Sequence, residues 1–93
     1  MENTSFKRGS IVISLCGRDK GRYFAITAFF DEQYGYIADG KLRTISKPKK
    51  KKLKHMKLMC HSDEIEEMLL SKTLTDRKMK DILNRYTASK DKS

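Results

Sequence analysis

The stretch IVISLCGRDKGRYFAITAFF, residues 11–30, decides the fold because it holds two apolar, β-prone segments joined by a charged loop. Side chains alternate between the two faces of a β-strand, and in residues 11–16 both the odd and the even positions are mostly apolar. This pattern is typical of a strand that is apolar on both faces. Residues 23–30 repeat that pattern. A strand that is apolar on both faces is covered on both sides for part of its length, as in a closed or half-closed barrel. The stretch therefore predicts a mainly β domain.

The loop between these two strands combines two glycines with three cations. Gly17 and Gly21 are explained by a turn alone, since glycine takes up positive φ at little cost. They would also let the backbone approach a phosphate chain closely. We expect Asp19 to orient Arg18 or Lys20 locally rather than to contact RNA. The loop is thus either a simple turn or an edge that contacts an anionic partner, whose candidate cations are Arg18, Lys20 and Arg22.

The charge of the chain is concentrated in its first part. Residues 1–60 hold 14 Lys/Arg against 5 Asp/Glu, a net +9, whereas residues 61–93 hold 7 of each and are neutral. A strongly basic segment indicates an anionic partner, with nucleic acid first and an anionic membrane surface second. With 93 residues, the chain forms one small domain that buries only roughly 60% of its unfolded surface, so a large catalytic cleft is not expected.

The segment YGYIADGKLRTIS, residues 34–46, carries the strongest hairpin signal. Asp39 and Gly40 suit a two-residue type I′ turn, in which glycine favours the positive φ. The register would then pair Ala38 with Lys41, Ile37 with Leu42, and Tyr36 with Arg43, and would place Ile37 and Leu42 in the core. The opposite face would present an aromatic ring beside two cations. Tyr36 is then either an RNA-stacking residue or ordinary packing; the candidate contacts are Tyr36, Lys41 and Arg43.

The next segment, KPKKKKLKHMK, residues 47–57, has seven lysines in eleven residues. Pro48 cannot donate to a β-ladder, so the hairpin is expected to end near Ser46. Like charges repel, which predicts a solvated basic strap without fixed structure, although Leu53, Met56 and Met59 could order a short turn or edge strand. Phosphate binding needs charge and reach more than geometry. The candidate RNA contacts in the strap are Lys47, Lys49, Lys50, Lys51, Lys52, Lys54 and His55.

Residues 61–86 predict two short amphipathic helices. Ser62 is an N-cap followed by acidic residues, and the first helix should end near Lys72. Thr75 is a second N-cap. The helices either pack on the barrel or dock a partner protein, and we favour packing because helices this short are marginal alone. Residues 87–93 are expected to be frayed.

The chain is similar to a known family over residues 7–57. GSIVISLCGRDKG (residues 9–21), followed by the alternating apolar strand, resembles a KOW motif. ADGKLR (38–43), KPKKK (47–51) and KH (54–55) resemble the eukaryotic ribosomal large-subunit proteins fourteen, six and twenty-seven, and more closely their small bacterial relatives. The resemblance implies an SH3-like β-barrel, which we expect to span residues 1–60; the short C-terminal helical hairpin after it is predicted from its own sequence pattern. It also implies binding to structured RNA, with ribosomal RNA and large-subunit proteins as expected partners.

The sequence leaves two other binding functions open. A transcription-elongation KOW module and an SH3-like protein adaptor are the binding alternatives. Catalysis is not expected, since no nucleophile or acid–base constellation is visible. A metal site from Cys16, His55, Cys60 and His61 lacks the spacing of structural zinc sites, so neither metal nor cofactor is expected. Without a signal peptide or a span, we expect a cytoplasmic protein that is monomeric when free, with both cysteines as free, partly buried thiols.

Overall fold

A computed structural model describes residues 6–91 as a five-stranded antiparallel sheet followed by two helices. A single 3₁₀ turn, Leu53–His55, separates the fourth and fifth strands. The strands are β1 (Ser10–Ser14), β2 (Tyr23–Phe29), β3 (Tyr34–Ala38), β4 (Lys49–Lys52) and β5 (Met56–His61), and the helices are α1 (Asp63–Ser71) and α2 (Asp76–Asp91). The predicted mainly β domain with two C-terminal helices is confirmed.

The sheet has the order β4-β3-β2-β1-β5, so the last strand returns to lie beside the first. β4 and β5 are its two edges, and the sheet is not closed. Ile11 pairs with Ala25 on one side and with Cys60 on the other. Register shifts interrupt both β1–β5 and β2–β3, where one strand inserts an extra residue and bends.

Two hydrophobic cores cover the two faces of the sheet. The first is formed within the sheet and the 3₁₀ turn, from Val12, Phe24, Ile26, Ile37, Leu53 and Met56. The second joins the sheet to both helices, through Ile11, Ala25, Ala38, Ile65, Met79, Ile82 and Leu83. β2 is therefore buried on both faces, as its sequence predicts, and the helices pack on the sheet rather than standing free.

The helix ends agree with their sequence signals. The Ser62 hydroxyl accepts a hydrogen bond from the Ile65 amide at 3.1 Å, and the Thr75 hydroxyl accepts one from the Lys78 amide at 3.2 Å. α1 ends at Lys72, which takes a left-handed conformation. α2 continues to Asp91, so the fraying predicted from residue 87 is not seen as far as 91. Residues 92 and 93 lie outside the described residues.

The hairpin predicted around Asp39 and Gly40 is wrong. β3 ends at Ala38 and pairs with β4, so that Tyr36 faces Lys50 rather than Arg43. The Asp39 carboxylate instead accepts hydrogen bonds from the Lys41 and Arg43 amides, both at 2.9 Å, which closes a local turn. Leu42 is consequently 59% exposed instead of lying in the core.

A contact with α2 explains where the chain goes after that turn. The Asp76 carboxylate accepts a hydrogen bond from the Ile45 amide at 2.7 Å, and Ile45 packs against the second core. The segment between β3 and β4 is therefore held by the helix instead of continuing the sheet. No helix within residues 6–91 is long and apolar enough to cross a bilayer.

Candidate nucleic-acid interface

Asp19 anchors the glycine loop to β4. Its buried carboxylate accepts hydrogen bonds from the Ser14 hydroxyl at 2.6 Å, Lys49 Nζ at 2.9 Å and Lys51 Nζ at 3.1 Å. Burial alone would raise the pKa of Asp19, but the bonds from Ser14, Lys49 and Lys51 outweigh it and hold the pKa well below its ordinary value. The predicted pairing of Asp19 with Arg18 or Lys20 is wrong; its cations come from β4.

The loop itself is a tight turn, and its cations are exposed whereas Asp19 is buried. Gly17 and Gly21 have φ of 88° and 87°, which confirms the turn reading of both glycines. The Gly21 amide donates to the Ser14 carbonyl at 2.8 Å and closes the turn. The three cations of the loop are exposed, and they are Arg18, Lys20 and Arg22.

A basic cleft forms where this loop meets the segment after β3. It has a volume of about 270 Å³, and both Phe24 and Leu42 contribute to its wall. Its charged lining residues are Arg18, Asp19, Arg22, Arg43 and Lys49. Guanidinium groups match phosphate oxygens in a bidentate geometry, so three of them around one cleft suit a phosphate chain. The structure thus brings together cations that the sequence placed in three separate segments.

The basic cleft continues across Arg22 towards α2. Arg22 also lines a second depression of about 240 Å³, together with Lys41, Lys80 and Asn84. Lys80 and Asn84 were not predicted, because residues 61–93 are neutral in total and gave no reason to single out one helical lysine. Only the packing of α2 on the sheet reveals which of its residues lie beside the loop.

β4 divides the predicted lysine strap between two faces of the sheet. The tract is an ordered strand over Lys49–Lys52, so the prediction of a strap without fixed structure is wrong there. Lys49 and Lys51 reach Asp19. Lys50 lies on the opposite face, with its Nζ 3.8 Å from the centroid of the Phe30 ring, and Lys52 Nζ lies 5.8 Å from that of Tyr34. Four consecutive lysines can form this strand because successive side chains point to opposite faces of the sheet, where they meet different partners.

The sequence predicts Lys51 to be an RNA contact, but the structure buries it. Its side chain is buried, and its ammonium is shared between the Asp19 carboxylate and the Cys16 carbonyl, at 3.1 Å each. Lys49 is half-buried and both lines the cleft and pairs with Asp19. Lys47 and Lys54 are exposed, and His55 is half-buried in the 3₁₀ turn.

Tyr36 does not join the arginines. It lies on the outer face of β3, with its ring centroid 6.2 Å from that of Phe30. Its partner across the sheet is Lys50 on β4, not Arg43. Phe30, which the sequence analysis did not select, is 53% exposed and lies between Tyr34 and Tyr36. Its sequence position at the end of an apolar strand suggested only packing.

His61 and Cys60, two of the four residues weighed as metal ligands, have protein partners. His61 Nε2 lies 2.7 Å from Glu66 Oε1 and 3.4 Å from Asp63 Oδ1, which links the end of β5 to the start of α1. Cys16 and Cys60 are free and half-buried, as predicted. Burial raises the pKa of the Cys60 thiol, and a hydrogen bond with Tyr86 partly offsets that rise.

No protein-family model matches the chain, and no curated protein matches it. The basic cleft and the ring cluster on the outer face of β3 and β4 are therefore interpreted from their own chemistry.

Proposed function

We propose that this chain is a non-enzymatic RNA-binding protein, and that the basic cleft is where the RNA backbone docks. The observation that carries the proposal is the convergence of Arg18, Arg22 and Arg43 on one cleft, although they come from two separate loops. Asp19 and Lys51 fix the position of the glycine loop, so its cations are presented in a set arrangement. Such preorganisation reduces the entropy lost on binding.

The fold supports the same proposal. We infer an SH3-like arrangement of the KOW kind from the antiparallel order β4-β3-β2-β1-β5, in which the fifth strand returns beside the first. The two cores cover much of both faces of this sheet, so function falls to its loops, its edges and the uncovered end of the β3–β4 ribbon. The ribosome, and ribosomal RNA in particular, is the site of action that we propose from the motif resemblance.

Salt dependence of RNA binding tests the cleft. If about five phosphates are neutralised, the logarithm of the association constant falls against the logarithm of salt concentration with a slope of roughly −4. The Arg18→Ala/Lys20→Ala/Arg22→Ala variant is expected to fold normally, to bind more weakly and to show a shallower slope. A flat salt response of the wild type contradicts the proposal.

A matched control separates the cleft from total charge. Lys57→Ala/Lys72→Ala/Lys78→Ala removes the same number of exposed cations, and none of the three lines the cleft or its continuation. This variant is expected to lose less affinity than the loop variant. Equal losses would mean that only net charge matters and would remove the reason for assigning the cleft.

Ribosome association is tested separately by sedimenting a cell lysate on a density gradient. The protein is expected to travel with the large subunit at low salt and to be released at high salt. Recovery only in the light fractions at low salt would contradict a ribosomal site while leaving RNA binding open to the salt experiment.

A further inference from the structure

A second surface, on the opposite side of β4 from Asp19, combines aromatic rings with lysines. We call it the ring face, and its residues are Phe30, Tyr34, Tyr36, Lys50 and Lys52. The Phe30 ring lies 6.5 Å from Tyr34 and 6.2 Å from Tyr36, with interplanar angles of 88° and 83°. Phe30 therefore meets both tyrosines edge to face and stacks on neither of them.

The sheet register assembles this face. Tyr36 pairs with Lys50 and Tyr34 with Lys52, so the four side chains point to one side of the β3–β4 ribbon. Ala38 points to the same side of the sheet as Tyr34 and Tyr36, and it is covered by the helices in the second core. The helices thus cover one end of the face, whereas at the other end Phe30 is 53% exposed. The contacts of Phe30 with Tyr34 and Tyr36 thus leave much of the ring exposed.

Lysines lie over the rings, and an amide lies in a depression that Lys52 also lines. Lys50 Nζ lies 3.8 Å from the Phe30 centroid and 5.2 Å from that of Tyr34. Gln33 lines a depression of about 220 Å³ with Lys52 and Lys54. Rings offer stacking to any base, ammonium groups meet phosphates, and an amide can both donate to and accept from a base edge.

The acidic neighbours of the face do not cancel this chemistry. The Asp31 carboxylate accepts hydrogen bonds from the Gln33 and Tyr34 amides, both at 2.8 Å, and so shapes the turn between β2 and β3. Glu32 is exposed and has an interaction of its own. Two lysines over the rings still leave a cationic edge beside them.

We propose that the ring face binds one or two unstacked bases of a single-stranded RNA segment. This inference rests on the proposed function and specifies its ligand class: RNA that has unpaired nucleotides in addition to the backbone held in the basic cleft. A base stacks on the Phe30 ring in place of the Lys50 ammonium, which moves to the adjoining phosphate. Paired duplex offers no free base face, so the ring face discriminates single strands from duplex.

The test compares two labelled RNAs of equal nucleotide number, an oligouridine and a blunt duplex, by fluorescence anisotropy with the full chain. Phe30→Leu keeps apolar volume and removes the ring. It is expected to weaken oligouridine binding about tenfold, from the loss of one base–ring stack, and to leave duplex binding unchanged. Phe30→Tyr restores a ring and should bind oligouridine like the wild type.

Two further variants test the same inference, one as a control for the loss of a ring and one for a phosphate contact. Phe29→Leu makes the same change on the preceding ring, which lies against Gly35, and should leave oligouridine binding unchanged. Lys50→Met keeps the strand and should reduce the oligouridine salt slope by about 0.7, the loss of one phosphate contact. Circular dichroism of each variant confirms that it folds.

The outcomes separate this inference from the proposed function. If Phe30→Leu weakens both RNAs equally or neither, the ring face does not bind bases, while the loop variant still reports on the cleft. Binding of neither RNA by the wild type overturns both proposals. If polyglutamate displaces oligouridine and is itself sensitive to Phe30→Leu, the face recognises an acidic polypeptide instead, and the inference is wrong.

Discussion

Lys51 Nζ lies 3.1 Å from Asp19 Oδ1, and the two residues are only 7% and 8% exposed. This ion pair joins an edge strand of four lysines to the turn after β1. The carboxylate also accepts from Lys49 at 2.9 Å. A lysine-rich segment becomes a strand here because its odd-numbered members share a fixed anion while its even-numbered members lie over aromatic rings.

Asp19→Asn is expected to destabilise the protein by about 3 kcal/mol. Removal of one partner leaves the Lys51 ammonium buried without a counter-charge, which costs more than the net value of the pair. Urea denaturation followed by circular dichroism measures the free energy of unfolding.

Lys51→Met supplies the control for that change. In Asp19→Asn/Lys51→Met no buried charge is left unpaired, so the double variant should be more stable than Asp19→Asn alone. A double variant that loses the sum of the two single effects would show that Asp19 and Lys51 are not coupled.

Stability should also depend on the ionisation of Asp19 in acid. Its pKa in the folded protein is well below the ordinary value of 3.8, so its contribution is fully present above about pH 5 and is lost as the pH falls through the folded pKa. The free-energy gap between wild type and Asp19→Asn is therefore constant near neutrality and narrows below about pH 4. A gap that stays constant into strong acid would mean that the carboxylate is not paired in the folded state.

The parts of this fold that follow from sequence are those with local signals. The apolar alternation of residues 11–16 and 23–30 predicts β1 and β2, and the hydroxyls of Ser62 and Thr75 predict the helix starts. Each signal lies within a few residues of its effect. The charge excess of residues 1–60 likewise predicts a basic surface.

What could not be predicted depends on partners distant in sequence. The lysine tract looked unstructured because its counter-charge, Asp19, precedes it by a whole hairpin. The sequence at Asp39 predicts a hairpin because no nearby residue shows that Asp76 will hold Ile45. Phe30 became a site residue only once the pairing of β3 with β4 placed Lys50 over it.

Gly40→Ala is expected to destabilise the protein by about 3 kcal/mol. Gly40 has a φ of 80°, and a β-carbon there would collide with the Asp76 carbonyl oxygen at the start of α2. The cost combines left-handed strain of about 1 kcal/mol with overpacking of about 2 kcal/mol. Thermal and urea unfolding measure it.

Gly21→Ala is the matched control, since Gly21 has a φ of 87° but no atom within 4 Å of the new β-carbon. It should therefore cost only the strain of about 1 kcal/mol. Equal losses for the two substitutions would mean that the segment after β3 does not lie against α2 as closely as described.

Lys72→Gly is expected to stabilise the protein. Lys72 ends α1 with φ 61° and ψ 36°, and the next amide, of Thr73, donates to the Met68 carbonyl at 2.9 Å. A β-carbon in this conformation costs about 1 kcal/mol, whereas glycine adopts it freely and is the usual residue at this position. Glycine also increases the entropy of the unfolded chain, so the net gain should be about 0.5 kcal/mol.

Lys72→Ala is the control, since it loses the same charge but keeps the β-carbon, and it should show no gain. If urea unfolding finds the two variants equally stable, the left-handed end of α1 is not strained.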